Sequence, residues 1–299
     1  MAAEFLSICI PTRNRSPLLS IALEQLAREI EANQLTPDKL RIYISDNCST
    51  DETAKVVEKF KLRLPHIHYS CNATNIGADR NILSCPAKGS GQYCWIMGDD
   101  DHINTGSLAY IWDILEKNRP VLFINSDGRY ETGFKLPALF PNYRALAEES
   151  MRVNPHMLIA HTLITANIFR RDCFDQQCAE EKLLTNYGHM YGLVSKLHEI
   201  AAPVYVTGRC TITARDSSEA GVDGIFPTNL VAMWIDYLTW LKPRFSLTTL
   251  EPKKISEYAA AAVRLQLKAH PIRSLLRVIK RLGSRKAYKQ LWDLFTKSK

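Results

Sequence analysis

The sequence predicts an α/β fold: a mainly parallel sheet with helices on both sides, followed by a helical C-terminal appendage. Short apolar runs alternate with amphipathic helical segments through the first 125 residues, a pattern typical of parallel sheets. The apolar runs end in polar clusters, as expected at the carboxyl edge of such a sheet. From residue 229 onward the composition is helical. We therefore expect a main domain over residues 1–225 and a helical region over 226–299.

Five short apolar runs of the first half predict strands. They are Leu6–Ile10, Leu40–Ile44, Ile67–Tyr69, Gln92–Met97 and Val121–Asn125. Three helices are predicted between them. Ser16 is expected to cap the first, with Pro17 in its first turn. Ser49 is expected to cap the second, and Asp79–Leu83 begins the third.

The second half has a less regular pattern from residue 135 onward. Thr162–Arg170 alternates well enough to predict a strand, and Val204–Ala214 is rich in β-forming residues. Thr185–Leu197 between them is expected to be helical. No internal repeat or low-complexity linker interrupts the chain.

The basic residues are concentrated at the C-terminus. Residues 264–299 contain eleven Lys and Arg and one acid, which leaves a net charge of −3 on the rest of the chain. Apolar residues recur there at helical spacing, and a basic amphipathic segment is typical of attachment to an anionic membrane surface. A solvated face on helices that pack against the core is the alternative. Nucleic acid is not an expected partner, because basic and aromatic residues do not interleave in a recognition pattern.

The expected location is the cytoplasm, peripheral on the inner leaflet of the cytoplasmic membrane. No signal peptide is visible at the N-terminus, and no run of 18 apolar residues predicts a spanning helix. The eight cysteines contain no C-x-x-C pair, so reduced thiols are expected, not a disulfide framework or a zinc site. They are Cys9, Cys48, Cys71, Cys85, Cys94, Cys173, Cys178 and Cys210.

One apolar run leads directly into three consecutive carboxylates. Tyr93–Met97 predicts a buried strand, and Gly98 is followed by Asp99, Asp100 and Asp101. Like charges this close repel each other unless a cation or hydrogen bonds hold them. A hard divalent metal with oxygen ligands is the usual solution, and a capped turn with solvated acids is the alternative. A metal at the carboxyl end of a strand is suited to holding the phosphates of a ligand.

Two further polar clusters follow the first and second strands. Pro11–Arg15 and Ser45–Asp51 each come directly after an apolar run. Because the carboxyl ends of parallel strands share one edge, these clusters can converge with Asp99–Asp101. An acid after the second strand can accept from a nucleotide base or a ribose hydroxyl. Arginines after the first strand, and Arg80, can bind phosphate.

Four segments in this order resemble the inverting family 2 nucleotide-sugar glycosyltransferases of GT-A fold: ICIPTRNR, IYISDNCSTDET, NIGADRN and YCWIMGDDD. The likeness is strongest with enzymes of bacterial surface-polysaccharide (O-antigen and capsule) assembly, abequosyltransferase-like proteins among them. It covers residues 5–130 and is specific because four elements recur at suitable spacing. It implies a GT-A-type, Rossmann-like domain whose nucleotide-binding half is 1–130 and whose acceptor half is 131–225.

The resemblance also assigns roles to residues of these segments. Asp46 is expected to contact the base, Asp101 to bind the metal, and Asp99 to face the ribose and contribute to the metal site. The implied cofactor is Mn²⁺ or Mg²⁺. The residues expected to bind the nucleotide sugar are Pro11, Thr12, Arg13, Asn14, Arg15, Asp46, Asn75, Gly77, Arg80, Asn81, Asp99 and Asp100.

Two features depart from the family's pattern. The second-strand motif often reads D-D-G-S-T-D, whereas this chain has Asn47 after Asp46. Many members also carry a Glu-Asp pair at the start of a later helix, with the Asp as catalytic base, and the expected stretch lacks that pair. His189 is the titratable group there, and a neutral imidazole can accept a proton near pH 7. His189 is therefore the predicted base. The alternative bases are Glu180, Glu181 and Asp127.

The resemblance implies a direct displacement with inversion, in which an acceptor hydroxyl attacks the anomeric carbon of the donor. The expected partners are a nucleotide-sugar donor, a lipid-linked saccharide acceptor and an anionic membrane surface bound through residues 264–299. One rival is a nucleotidyltransferase, which would need a Gly-rich loop where this chain has Pro11–Asn14. The other rival is a catalytically decayed protein that binds the membrane surface.

Overall fold

The computed structural model describes residues 4–126, 135–153, 161–183 and 187–214, with the single positions Tyr237, Trp240, Leu241, Pro243 and Arg244. The chain divides into two compact units, Met1–Gly224 and Ile225–Lys299. The strands and helices defined next belong to the first unit.

The described part of the first unit contains nine strands. They are β1 Leu6–Thr12, β2 Leu40–Asp46, β3 Ile67–Cys71, β4 Tyr93–Ile96, β5 Asp101–Ile103, β6 Val121–Ser126, β7 Ala138–Phe140, β8 Asn167–Arg170 and β9 Val204–Ala214. The helices are α1 Ser16–Ala32, α2 Thr53–Lys61, α3 Ala78–Lys88, α4 Ser107–Leu115, α5 Tyr143–Val153, α6 Gln176–Glu181 and α7 Gly188–Glu199. Two short 3₁₀ turns, Ile164–Ala166 and Arg171–Cys173, flank β8.

The strands form one mixed sheet with the order β3-β2-β1-β4-β8-β6-β9-β5, and β7 pairs with β9. The first four strands are parallel, as predicted. β8 lies antiparallel between β4 and β6, and β6 and β9 are again parallel. The predicted α/β architecture with a mainly parallel central sheet is confirmed.

Helices cover both faces of the sheet. Successive side chains of each strand point to opposite faces, so each strand contributes to both. Leu6, Ile8 and Ile10 of β1 enter an apolar core that they share with α1, α2 and α4. Cys9 points to the opposite face, where its Sγ lies 4.0 Å from that of Cys94 in β4, and α3 contacts β1 and β2. All eight cysteines are free thiols.

The first two helices begin differently from the prediction. Ser16 is the first residue of α1 and not its N-cap, and α2 begins at Thr53, four residues after the predicted cap Ser49. One carboxylate, that of Asp51, serves both helix starts: Oδ2 accepts from Ser16 N at 2.9 Å, and Oδ1 accepts from Thr53 N at 3.1 Å. Burial opposes its ionisation, but these hydrogen bonds outweigh burial and hold the pKa of Asp51 below its usual value.

The predicted strand over Thr162–Arg170 is wrong in its first half. Only Asn167–Arg170 is strand, and Ile164–Ala166 forms a 3₁₀ turn. The reason is that Thr165 turns toward β4, where its carbonyl accepts from the indole of Trp95 at 2.9 Å. A sequence alternation cannot reveal this contact, since the two residues lie 70 positions apart.

The second unit is described at five positions, which are helical. Tyr237 and Leu241 are buried, and Tyr237 stacks on Trp240 with ring centroids 6.1 Å apart. The guanidinium of Arg244 lies over the Trp240 ring at 4.4 Å from its centroid. The predicted membrane-binding segment, 264–299, lies outside the described residues.

Within the described ranges, no helix combines the length and the apolar character needed to cross a membrane.

Candidate functional site

The polar clusters that follow β1, β2 and β4 meet at one edge of the sheet. β1 lies between the other two strands, and its last residue, Thr12, is paired with Asp46 at the end of β2. On the other side, Thr12 Oγ1 donates to Asp99 Oδ2 at 2.6 Å. The convergence expected from the order of parallel strands is therefore present as direct contacts.

Asp99 is buried and paired. It is 3% exposed, and while Oδ2 accepts from Thr12, Oδ1 accepts from Arg15 Nη1 at 2.8 Å. The same nitrogen donates to Asp100 Oδ2 at 3.0 Å. Burial raises the pKa of Asp99 to about 6 against the opposing charge of Arg15, and Asp100 adds to the rise. Arg15, which was expected to bind the nucleotide sugar, is thus the counter-ion of two of the three acids.

Asp101 is held by a residue from the second half of the chain. Thr165 Oγ1 donates to Asp101 Oδ2 and accepts from Gly98 N at 2.8 Å. One hydroxyl therefore fixes both ends of the turn that carries the acids. Thr165 is not identifiable from the sequence as a site residue, because its only signal there is a hydroxyl within a segment of strand-like alternation.

The acids fit a divalent cation that a bound ligand helps to coordinate. The described residues contain no group of three His, Cys, Asp or Glu side chains that could hold a metal by themselves. Mg²⁺ is usually bound by one or two carboxylates plus substrate phosphates and water. Asp100 and Asp101 are partly exposed, whereas Asp99 already uses both oxygens. Asp101 is the better placed of the two predicted metal ligands.

Asp46, the predicted contact to the base, forms the floor of the site. It is 1% exposed, with Oδ1 accepting from Ser49 N at 2.9 Å and Oδ2 accepting from Tyr69 OH at 2.6 Å. A carboxylate has about four acceptor positions, so these two bonds orient Asp46 without exhausting it. Tyr69 and Ser49 therefore hold the Asp46 carboxylate in a fixed orientation.

The loops after β1 and β2 are clasped to each other by Asn14. Its backbone N donates to Ser49 Oγ at 2.9 Å, and its Oδ1 accepts from Thr50 N at 2.7 Å. Asn14 has φ +53°, a left-handed conformation that asparagine adopts more readily than most residues. Arg13 beside it is exposed, and Pro11 lies within β1. Of these residues, Arg13 is the cation available to an incoming phosphate.

The segment before α3 contains the remaining predicted nucleotide-binding residues. Asn75, Gly77 and Arg80 are exposed, and Gly77 has φ +88°, which favours glycine. Asn81 is 3% exposed; its Nδ2 donates to Ser45 O at 2.9 Å and its Oδ1 accepts from Ser45 Oγ at 2.7 Å. Asn81 therefore ties α3 to β2, while the first three are accessible to a ligand.

His189, the predicted base, is in the first turn of α7 and is 5% exposed. Its Nε2 lies 2.9 Å from the carbonyl oxygen of Thr162, so this nitrogen donates. Burial lowers the pKa of His189 to about 4, against the opposing effect of that hydrogen bond. A buried, weakly basic imidazole that holds two backbone segments together fits a structural role better than the predicted role of base.

The alternative bases differ in accessibility. Glu180 and Glu181 are exposed on α6, and Asp127 lies outside the described residues. A cavity of about 240 Å³ brings Glu180 together with Arg80 of α3, and Leu83, Ser84, Gln176 and Leu183 complete its lining. Gln176 Nε2 donates to Glu180 Oε1 at 2.7 Å, which orients the carboxylate at this cavity.

The chain is similar to one sequence family and to two curated bacterial transferases. The family model described as glycosyl transferase family 2 matches residues 7–176. The abequosyltransferase RfbV of Salmonella typhimurium is 30% identical over 170 residues, which cover 56% of this chain and 47% of that protein. The GalNAc(5)-diNAcBac-PP-undecaprenol beta-1,3-glucosyltransferase of Campylobacter jejuni is 31% identical over 105 residues, 35% of this chain and 32% of that enzyme. The chain thus spans less than half the length of either relative.

Solved structures share the fold. The mannosyltransferase PcManGT of Pyrobaculum calidifontis, solved in complex with GDP-Man and Mn²⁺, superposes with a TM-score of 0.58 at 14% identity. The superposition covers 98% of this chain and 88% of that one.

Proposed function

Because the chain belongs to glycosyl transferase family 2, we propose that it is a metal-dependent inverting glycosyltransferase. It transfers a sugar from a nucleoside-diphosphate sugar to a hydroxyl of a saccharide acceptor in the synthesis of a bacterial surface polysaccharide. The observation that carries this proposal is that Thr12 and Arg15 both contact Asp99 where β1 and β4 end. In open α/β sheets, ligands bind at such strand ends.

The donor diphosphate would lie against the acids and arginines of this edge. A divalent cation, Mn²⁺ or Mg²⁺, would be held by Asp101 with Asp99 and would neutralise the leaving diphosphate. Arg15 holds two of the acids close together through its contacts to Asp99 and Asp100. Arg13 and Arg80 are exposed near the predicted nucleotide-binding loops and would add positive charge toward the phosphates.

The base of the nucleotide would be recognised at Asp46, whose carboxylate is oriented by Tyr69 and Ser49. Pre-orientation of this kind favours affinity, because fewer side chains lose freedom when the ligand binds. Asn14 holds the two loops that flank Asp46 together. The chain's own residues thus supply binding and orientation on the donor side.

The acceptor is proposed to be a lipid-linked saccharide at the inner leaflet of the cytoplasmic membrane. The name of the C. jejuni relative includes an undecaprenol-linked saccharide, which supports a lipid-linked acceptor. The eleven basic residues and one acid of segment 264–299 support contact with an anionic membrane surface. Flotation of the full chain with anionic and neutral vesicles at low and high salt tests the surface contact. We expect binding to anionic vesicles only, and weaker binding at high salt.

Release of nucleoside diphosphate from UDP-, GDP-, CDP- and dTDP-sugars tests the activity and separates it from the rivals. A glycosyltransferase releases the nucleoside diphosphate from one of these donors in the presence of Mn²⁺ or Mg²⁺. A nucleotidyltransferase would instead release pyrophosphate from a nucleoside triphosphate, and a decayed protein would release neither. A thermal-shift panel of the same donors identifies the nucleotide, because a ligand of the native state raises the melting temperature.

A further inference from the structure

Asn47, the residue after Asp46, uses both ends of its side-chain amide. It is 3% exposed. Its Nδ2 donates to Asn75 Oδ1 at 2.8 Å and to Gly77 O at 3.2 Å. Its Oδ1 accepts from Ile76 N at 2.9 Å and from Asn72 Nδ2 at 3.2 Å. Two donated and two accepted bonds use the full capacity of a primary amide.

All four bonds go to one loop. Residues 72–77 connect β3 to α3, and Asn75 and Gly77 on this loop are exposed. The loop has no regular secondary structure, so its backbone depends on side chains for fixed hydrogen-bond partners. Asn47 makes all four bonds to the loop from its position after β2, next to Asp46. The 72–77 loop is therefore held by Asn47, the residue directly after Asp46.

The chemistry of these contacts requires an amide. Asn75 Oδ1 and Gly77 O are both acceptors and need N–H donors. A carboxylate of the same shape has no N–H to donate, and its negative charge would repel these two oxygens and displace the loop from its bonds, the one from Ile76 N included. The amide at position 47 therefore matches the two acceptor oxygens that the loop presents to it.

We propose that Asn47 is a positioning residue for nucleotide binding: its amide fixes the loop 72–77 in the conformation that receives the donor. It acts through Asn75, Ile76 and Gly77 and does not touch the ligand itself. The inference rests on the proposed function, because the loop is assigned to the donor through the family relationship.

The test compares Asn47→Asp with a matched control, Asn33→Asp. Asn33 follows α1, and its Nδ2 donates to Glu29 O at 2.7 Å, so the control makes the same change of charge at a single hydrogen bond. Binding of UDP, GDP, CDP and dTDP with Mn²⁺ is measured by calorimetry on the full chain. Hydrogen exchange at the Ile76 amide is followed without ligand.

We expect Asn47→Asp to weaken binding of the preferred nucleotide roughly ten-fold or more, since two donated bonds are lost, and to speed exchange at Ile76. At saturating donor, the turnover number for donor hydrolysis should stay within about three-fold of wild type, so the defect lies in affinity. Asn33→Asp should match wild type in both measurements. If Asn47→Asp does not fold, Asn47→Ala, which adds no charge, replaces it with the same expected loss.

Unchanged affinity and unchanged Ile76 exchange in Asn47→Asp would overturn the inference and leave the proposed function standing. A wild-type chain that binds no nucleoside diphosphate would overturn the proposed function, and this inference with it. A loss of affinity of equal size in Asn33→Asp would also contradict it, because charge alone would then explain the effect.

Discussion

Arg15 Nη1 lies 2.8 Å from Asp99 Oδ1, so a guanidinium on the loop after β1 neutralises a buried carboxylate on the loop after β4. The Arg15 side chain is 26% exposed and that of Asp99 is 4% exposed, so water screens this pair only in part. The pair links the two strand ends that carry the proposed donor site.

Replacing Arg15 should destabilise the protein by leaving the acids without their counter-ion. Removing one partner of a fully buried ion pair costs about 3–5 kcal/mol. Because Arg15 is partly exposed, we expect Arg15→Met to lower the free energy of unfolding by a smaller amount, about 1–3 kcal/mol. Urea unfolding monitored by circular dichroism measures it. Arg28→Met, which removes the exposed Arg28–Glu24 pair, is the control and should change stability little. Equal losses in both variants would contradict a special role for Arg15.

Replacing Thr165 should weaken cation-dependent ligand binding. Thr165→Val keeps the shape of the side chain but removes the donor to Asp101 and the acceptor for Gly98 N. An unpaired buried polar group costs about 1–3 kcal/mol, so the free energy of unfolding should fall by about that amount. The affinity for nucleotide with Mn²⁺ should also fall, because Asp101 loses the hydroxyl that orients it.

The control for Thr165→Val is Thr213→Val. Thr213 is exposed, and its hydroxyl donates to the side chain of Asn104 at 2.9 Å. Binding and stability close to wild type are expected for this control. If Thr165→Val binds nucleotide and Mn²⁺ as tightly as wild type, Thr165 does not position Asp101.

Two buried histidines should make stability depend on pH. Burial lowers the pKa of His161 to about 3 and that of His189 to about 4, so the unfolded chain takes up protons first as the pH falls below the usual 6.5. Stability is therefore full above pH 6.5 and declines toward pH 4. Each histidine should remove about 2 kcal/mol between pH 7 and pH 5. Urea unfolding at a series of pH values measures how steeply the free energy of unfolding falls with pH. His189→Gln should make this fall less steep. An unchanged pH dependence in this variant would show that His189 does not contribute to it.

His189→Gln also tests the predicted catalytic base. Glutamine can still donate to the Thr162 carbonyl, and His189 is only 5% exposed. We expect the turnover number of the transfer reaction at pH 7 to stay within about ten-fold of wild type, since losing a general base costs about 10²–10⁴-fold. A loss of that larger size, with the fold intact, would restore His189 as the base. Glu180→Gln tests the exposed carboxylate of α6 by the same assay.

The convergence of the polar clusters at one edge of the sheet could be predicted from the sequence, because local patterns identify the strands. An apolar run that ends in Asp99 and another that ends near Thr12 predict neighbouring parallel strands, and parallel strands bring their carboxyl ends to one edge. The two clusters are therefore expected to converge, and in the structure Thr12 contacts Asp99 directly. The family assignment made from these same segments is confirmed.

The contacts that cross the chain could not be predicted in this way. Thr165 contacts Asp101 because it lies just before β8, which pairs antiparallel with β4. The alternation of Thr162–Arg170 does not distinguish one long strand from a 3₁₀ turn followed by a short strand. His189 was singled out for its titratable side chain, yet its burial and its bond to the Thr162 carbonyl depend on packing between distant segments. Asn47 was noted as a missing acid, while the loop it organises became visible only in three dimensions.

The most direct test of the central claim is calorimetric binding of a nucleoside diphosphate with Mn²⁺ and with EDTA, comparing wild type with Asp101→Asn. Asp113→Asn, on the exposed side of α4 and paired with Lys117, is the control. The account predicts that Mn²⁺ tightens nucleotide binding at least about ten-fold for wild type and for the control, and that Asp101→Asn abolishes this gain. Binding of equal strength in EDTA, or a full Mn²⁺ effect in Asp101→Asn, would contradict the claim that the acids after β4 hold a cation for the donor.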